Sequence, residues 1–210
     1  MSSKKSLSYI ETATADKNKQ KSELLQKNLR NVELDIENNK IEDLKRKIDT
    51  ITRYQKPYIS KMLNKVLLEN LINAEIICNY IVAEQNEINI KESTKETKIK
   101  RIVHLSKFFD NKKSFYDMTK EDILDYLNNL RKPSSIDPTH KSIGTWNSRQ
   151  MLFLKFFRWL YNTNESDPRK RETPSCMNGI KQLPRKEQSS YEPANPNPRT
   201  SITSFSLKKE

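Results

Sequence analysis

Five side chains that can bind phosphate follow one side of a predicted helix. Thr97, Lys100, Arg101, His104 and Lys107 stand at positions i, i+3, i+4, i+7 and i+10. Because an α-helix turns once every 3.6 residues, this spacing places all five on one face. Cationic and hydroxyl groups are the side chains that most often contact nucleic-acid phosphates. The pattern therefore predicts a cationic ridge.

A second polar set opens residues 144–161, GTWNSRQMLFLKFFRWLY. We expect a helix to begin at Thr145, so that the backbone N–H groups of its first turn offer a seat for phosphate at the positive end of the helix dipole. Asn147 and Arg149 are candidates for base contacts, because such side chains pair with adenine and guanine edges in the major groove. The other phosphate-binding candidates of this helix are Thr145, Ser148, Lys155 and Arg158. A third basic group, Arg169, Lys170 and Arg171, follows the helix.

The histidines and cysteines do not indicate catalysis or metal binding. His104 and His140 have no second catalytic group at helical spacing, which favours a phosphate-facing His104 and an ordinary loop histidine at position 140. Cys78 and Cys176 are far apart in the chain and lack the spacing of zinc ligands. We therefore expect neither a cofactor nor a metal.

The composition favours a polyanionic partner. The 210 residues include 39 Lys and Arg against 27 Asp and Glu, giving a formal net charge of +12 and a pI of about 9.5. Such an excess suits nucleic acid or an anionic membrane surface. No apolar run approaches the ~18 residues of a spanning helix, and the first residues contain no apolar signal core. We expect a cytoplasmic protein without a membrane partner.

The chain divides into five parts by composition. Residues 1–18 and 188–210 are rich in small polar residues and are expected to be disordered. Residues 19–56 contain good helix formers, residues 57–162 contain several apolar helical patterns, and residues 163–187 form a basic, proline-punctuated linker.

Four helices are predicted between residues 57 and 162. The first is a long apolar helix over about 60–87, and the second begins at Ser93 or Thr94. The third follows a capping box formed by Thr119 and Asp122, and the fourth begins at Thr145. Strand alternation is missing and the chain has only two glycines. These features predict an all-α fold, a four-helix bundle preceded by a helical arm.

The arm over residues 19–56 carries a partial heptad pattern. Leu34, Ile41 and Ile48 repeat by seven, and Leu44 and Ile51 stand three residues after Ile41 and Ile48. The pattern fits a coiled coil that forms a homodimer through residues 20–55, and it also fits an amphipathic helix lying on a neighbour.

Two segments resemble a known family. MTKEDILDYL, residues 118–127, followed after a loop by TWNSRQMLFLKFFRWLY, residues 145–161, resembles the core-binding, SAM-like domain of tyrosine recombinases and phage-type integrases, particularly archaeal ones. The likeness covers about residues 71–187, including the linker DPRKRETPSCMNGIKQLPRKE.

The resemblance implies a module that forms half of a clamp on double-stranded DNA. In that family, catalysis belongs to a following domain with a nucleophilic tyrosine and a His-x-x-Arg box. Here Lys107 stands three residues after His104 and Ile143 three after His140, so the box is missing. We therefore expect a nucleoid-associated, non-enzymatic chain truncated before the catalytic domain, with a possible catalytic partner in trans.

The alternative is a helical interaction protein whose arm binds a partner and whose bundle is a docking platform. Deleting residues 1–56 separates the two hypotheses. A DNA-binding module is expected to keep its fold and most of its affinity, whereas an interaction protein would lose its partner.

Overall fold

The computed structural model describes residues 31, 34–133 and 135–184, and within them it contains six α-helices and no strand. The predicted all-α class is confirmed for this part of the chain. The predicted disordered ends, the first part of the arm and the end of the linker lie outside the described residues. The helices are α1 (34–52), α2 (Pro57–Glu69), α3 (Leu71–Ile88), α4 (Glu92–Phe108), α5 (Lys120–Asn129) and α6 (Lys141–Tyr161).

One apolar cluster holds these helices together. The largest fully buried side chains are aromatic, and Tyr80 and Phe115 each meet the ring of Phe156 edge-on at 5.1 Å between centroids. Such edge-to-face pairs add to the stabilisation that comes from burying the rings. None of the helices in the described ranges combines the length and apolarity needed to cross a membrane.

The predicted long helix over 60–87 is wrong, because it is two helices. Asn70 has an extended backbone, with φ −155° and ψ 92°, and separates α2 from α3. Its side-chain oxygen accepts a hydrogen bond from the backbone N–H of Asn73 at 2.9 Å, which caps α3. Pro57 occupies the first turn of α2, where a missing N–H costs little.

Two helix starts also differ from the prediction, and one agrees. α4 begins at Glu92 after Lys91, without a side-chain cap from Ser93 or Thr94. The capping box of α5 is confirmed: the Thr119 hydroxyl accepts from the backbone N–H of Asp122 at 3.3 Å, and the carboxylate accepts from the N–H of Thr119 at 2.7 Å.

The fourth predicted helix, α6, begins at Lys141, one turn before Thr145. The Asp137 carboxylate accepts hydrogen bonds from the backbone N–H groups of Lys141 and Ser142, at 3.0 and 2.6 Å. These bonds lower the pKa of Asp137 to about 2. The loop thus caps the helix from a position four residues upstream of its first residue.

Two segments flanking the predicted bundle contribute to its core. Leu44, Ile48 and Ile51 of α1 are buried in the same cluster as the helices of the bundle. Cys176, which lies in a short 3₁₀ turn, is also buried there, together with Met177 and Ile180. The second half of the heptad pattern therefore faces the chain's own core, whereas Leu34 is exposed. The homodimer through residues 20–55 stays a prediction.

Candidate nucleic-acid interface

The ridge predicted on α4 lies on the outward side of the helix, with Lys100 and Arg101 partly buried. Ile99, Ile102 and Val103 are buried on one side of the helix, while Thr97, His104 and Lys107 are exposed on the other. α4 carries five Lys and Arg residues against two acids, both of them glutamates. Lys95 is buried beside Glu92 and Lys98 pairs with Glu84 of α3, so the cations on the outward face of α4 are Lys100, Arg101 and Lys107.

Two side-chain contacts join α4 to α6. An Nη of Arg101 donates a hydrogen bond to the Ser148 hydroxyl at 2.7 Å, and an Nη of Arg149 donates to the backbone carbonyl of Arg101 at 3.2 Å. Both guanidinium groups are partly buried and keep further N–H donors, because each can donate five hydrogen bonds. The predicted ridge and the predicted DNA-binding helix thus meet at one surface.

His104 lies among three cations of α4 and α6, and its pKa is lowered. Burial lowers the pKa of His104, and the cations Arg149, Lys107 and Lys100 lower it further. Both effects, desolvation and the repulsion between like charges, favour the neutral imidazole. A bound phosphate would relieve that repulsion.

Ser148, Met151 and Lys155 continue the same surface along α6. They stand at i, i+3 and i+7, so they share one face of the helix, and Met151 and Lys155 are exposed. α6 contains four basic residues and no acid. We name the surface made by Lys100, Arg101, His104, Lys107, Ser148, Arg149 and Lys155 the cationic face.

One neighbour of the cationic face was missed by the sequence analysis. The Tyr58 hydroxyl at the start of α2 accepts a hydrogen bond from Lys100 Nζ at 2.9 Å and donates to Glu96 Oε1 at 2.7 Å. Lys100 also lies 5.3 Å from the centre of the Tyr58 ring. The hydrogen bond to Tyr58 raises the pKa of Lys100, so this cation is held in place beside α4.

The phosphate seat predicted at residues 145–149 is wrong. These residues belong to the second and third turns of α6, where backbone N–H groups are bonded within the helix. Thr145 is exposed, and its hydroxyl donates to the Lys141 carbonyl at 3.4 Å. At the true start of α6, the Asp137 carboxylate already accepts from the first two N–H groups.

Asn147 has a structural role in place of the predicted base contact. Its side-chain nitrogen donates to the carbonyl of Leu183 at 2.9 Å, and its oxygen accepts from the N–H of Leu183 at 2.8 Å. One turn away, Gln150 donates to the carbonyl of Ile180 at 2.8 Å. These amides hold residues 171–183, which we name the strap, against α6.

The basic group after α6 is also not part of the cationic face. Arg171 is buried, and it makes two hydrogen bonds to Glu87, at 2.6 and 3.0 Å, and a third to the carbonyl of Glu165. It anchors the strap to α3, so we remove it from the DNA-binding candidates. Arg158 donates to the Thr173 hydroxyl at 2.6 and 3.0 Å, which also ties α6 to the strap.

Arg169 and Lys170 stay predictions as DNA-binding residues. Both are exposed on the turn that precedes Arg171, and the Asp167 carboxylate accepts from the backbone N–H of Arg169 at 3.0 Å. Within the described part of the chain, their side chains take part in no hydrogen bond or ion pair.

Comparison of the chain with protein-family models, with curated proteins and with solved structures finds no match. The function is therefore inferred from the cationic face itself.

Proposed function

We propose that this protein is a DNA-binding module that holds double-stranded DNA against its cationic face. The observation that carries the proposal is the junction of α4 with α6, where Arg101 contacts Ser148 and Arg149 contacts Arg101. These contacts combine the cations of two helices into one surface. Neutralising several phosphates at once, with release of counterions, supplies most of the affinity of such modules.

Arg101, Lys107, Arg149 and Lys155 form no ion pair with an acid elsewhere in residues 34–133 and 135–184, and Lys100 is 3.8 Å from Glu96. Their charges are thus available to phosphate. Arg149 is the remaining candidate for a base contact, because its guanidinium keeps donors beyond the bond to Arg101.

The family resemblance extends the proposal to DNA integration and site-specific recombination. The order of a cationic helix, a capped acidic helix and a second cationic helix supports a role like that of the core-binding domain of tyrosine recombinases. That domain binds DNA and leaves strand cleavage to a separate domain, so we propose a non-catalytic, nucleoid-associated role for the residues described.

The test is a fluorescence titration of a labelled DNA duplex at several salt concentrations. With at least five phosphates contacted, the logarithm of the association constant should fall against the logarithm of salt concentration with a slope of about −4.5 or steeper. Absence of binding in the micromolar range at low salt would contradict the proposal.

A further inference from the structure

The outward side of α2 continues the cationic face. Tyr58, Lys61 and Lys65 stand at i, i+3 and i+7 on α2, and all three are exposed. Ile59, Leu63 and Val66 are buried on the other side of the helix. The two lysines therefore share the side of α2 from which the Tyr58 hydroxyl reaches Lys100 and Glu96 of α4.

α2 and α4 lie side by side and run in the same direction. Tyr58, near the start of α2, contacts Glu96 in the first half of α4 and Lys100 at its middle. At the other end, Glu69 is hydrogen-bonded to the side chain of Asn111, just beyond the end of α4. Lys61 and Lys65, which lie between these two contacts on α2, are therefore beside the stretch of α4 that carries His104 and Lys107.

We propose that Lys61 and Lys65 form a third row of phosphate contacts, so that the bound duplex lies across α2, α4 and α6. This inference rests on the proposed function. Packed helices are about 8–10 Å apart, so three neighbouring rows span roughly 16–20 Å. The major groove of B-DNA is about 12 Å wide, and the phosphates that flank it are farther apart than this open width, so the two outer rows can reach both strands.

Neither lysine is held in a strong ion pair. Lys61 forms no ion pair among the residues that the structure describes, and Lys65 Nζ lies 3.6 Å from the Glu69 carboxylate, with the two side chains 62% and 39% exposed. Exposed pairs of this kind contribute little and are screened by salt. A phosphate can therefore replace Glu69 as the partner of Lys65.

The experiment compares Lys61→Gln/Lys65→Gln with a matched control, Arg46→Gln/Lys47→Gln on α1. Both variants lose two positive charges from exposed helix positions, so they change the net charge of the protein equally. Circular dichroism and the melting temperature check that each variant is folded. A labelled duplex is then titrated over a range of salt concentrations with the wild type and with each variant.

The α2 variant should bind roughly tenfold or more weakly, with the magnitude of its salt slope reduced by about 2, while the control keeps the slope of the wild type. If both variants weaken binding equally, or if neither does, α2 has no specific role and the inference fails while the proposed function stands. If the wild type shows no salt-dependent binding, the proposed function itself fails.

Discussion

Two of the faces that the described residues present carry exposed lysines and arginines, but they differ in the number of acids that accompany these cations. The cationic face is made by α4 and α6, and the second face is made by α1 where it lies on α3. α1 contains four basic residues and five acids between residues 34 and 52. Lys40 pairs with Glu75, Lys45 with Glu42, and Arg46 with Asp43, each at 2.8 Å. On α6 there is no acid to form such pairs.

The two faces lie on opposite sides of α3. α4 contacts α3 at Asn73 and Glu84, which are three turns apart and therefore on one side of the helix. α1 contacts α3 at Glu75 and Asn79 on the other side. α1 and α6 each contain four basic residues, so their number does not distinguish the two faces. The positions of the acids near these cations do, and they define the candidate site.

The largest expected effect concerns the structural role of the α1 face. Deleting residues 1–56 removes Leu44, Ile48 and Ile51, which are at most 2% exposed. Losing three such side chains costs about 6–15 kcal/mol, which is as large as the whole stability of a typical domain at about 5–15 kcal/mol. We expect this deletion to abolish cooperative thermal unfolding, contrary to the expectation from sequence.

A shorter deletion is the matched comparison. Removing residues 1–33 leaves all three buried side chains in place, so the protein should keep a cooperative transition measured by circular dichroism. If the deletion of residues 1–56 melts like the shorter one, α1 does not belong to the core as the structure shows.

Charge reversal separates the two faces by their effect on DNA. Lys107→Glu/Lys155→Glu places two acids on the cationic face and should weaken duplex binding by roughly a hundredfold or more at moderate salt. Arg46→Glu/Lys47→Glu makes the same charge change on the α1 face and should alter affinity far less. Equal losses in a fluorescence titration would show that net charge alone governs binding.

The strap provides a third comparison, because its Leu183 is hydrogen-bonded to Asn147, which the sequence pattern assigned to base contact. Asn147→Ala removes two hydrogen bonds to Leu183, so it should lower stability by about 1–3 kcal/mol. Limited proteolysis should cut the strap sooner in this variant. Because Asn147 is bonded to the strap, duplex affinity should change by less than roughly threefold, a difference of under 1 kcal/mol. A large loss of affinity with unchanged proteolysis would restore the base-contact role.

The smallest expected effect is the pH dependence that His104 gives to binding. Burial and the neighbouring cations lower the pKa of His104 in the free protein, and a phosphate nearby would raise that pKa in the complex. Binding should therefore take up a proton, and affinity should rise as pH falls from 8 towards 6, by less than tenfold per pH unit. His104→Gln should remove this part of the pH dependence. A dependence that persists in the variant would exclude His104 as its source.

Local sequence signals predict the parts of this fold that depend on nearby residues. The capping box of Thr119 and Asp122 joins residues three apart, and the exposed face of α4 follows from its spacing. The break at Asn70 was missed because the apolar run contains no glycine or proline there. That asparagine ends one helix and caps the next, and its side chain also donates to the carbonyl of Asn111 at 2.8 Å, a partner distant in the sequence.

Long-range contacts explain the errors in the candidate site. Asn147 and Arg171 have the residue types of DNA-binding side chains, but their partners are Leu183 and Glu87, which no local spacing could indicate. In contrast, Arg101 and Arg149 belong to two different helices, and the structure brings them into contact as a surface shared by both helices requires. Residue type thus predicted which side chains could bind phosphate, while tertiary packing determines which remain free to do so.

Lysine footprinting tests the central claim most directly, because it reports which face the DNA covers. The protein is acetylated with and without a saturating DNA duplex, and modification at each lysine is measured by mass spectrometry. Our account predicts that the duplex protects Lys107 and Lys155 strongly and leaves Lys45 and Lys47 as reactive as in the free protein. Equal protection on both faces, or protection confined to α1, would contradict it.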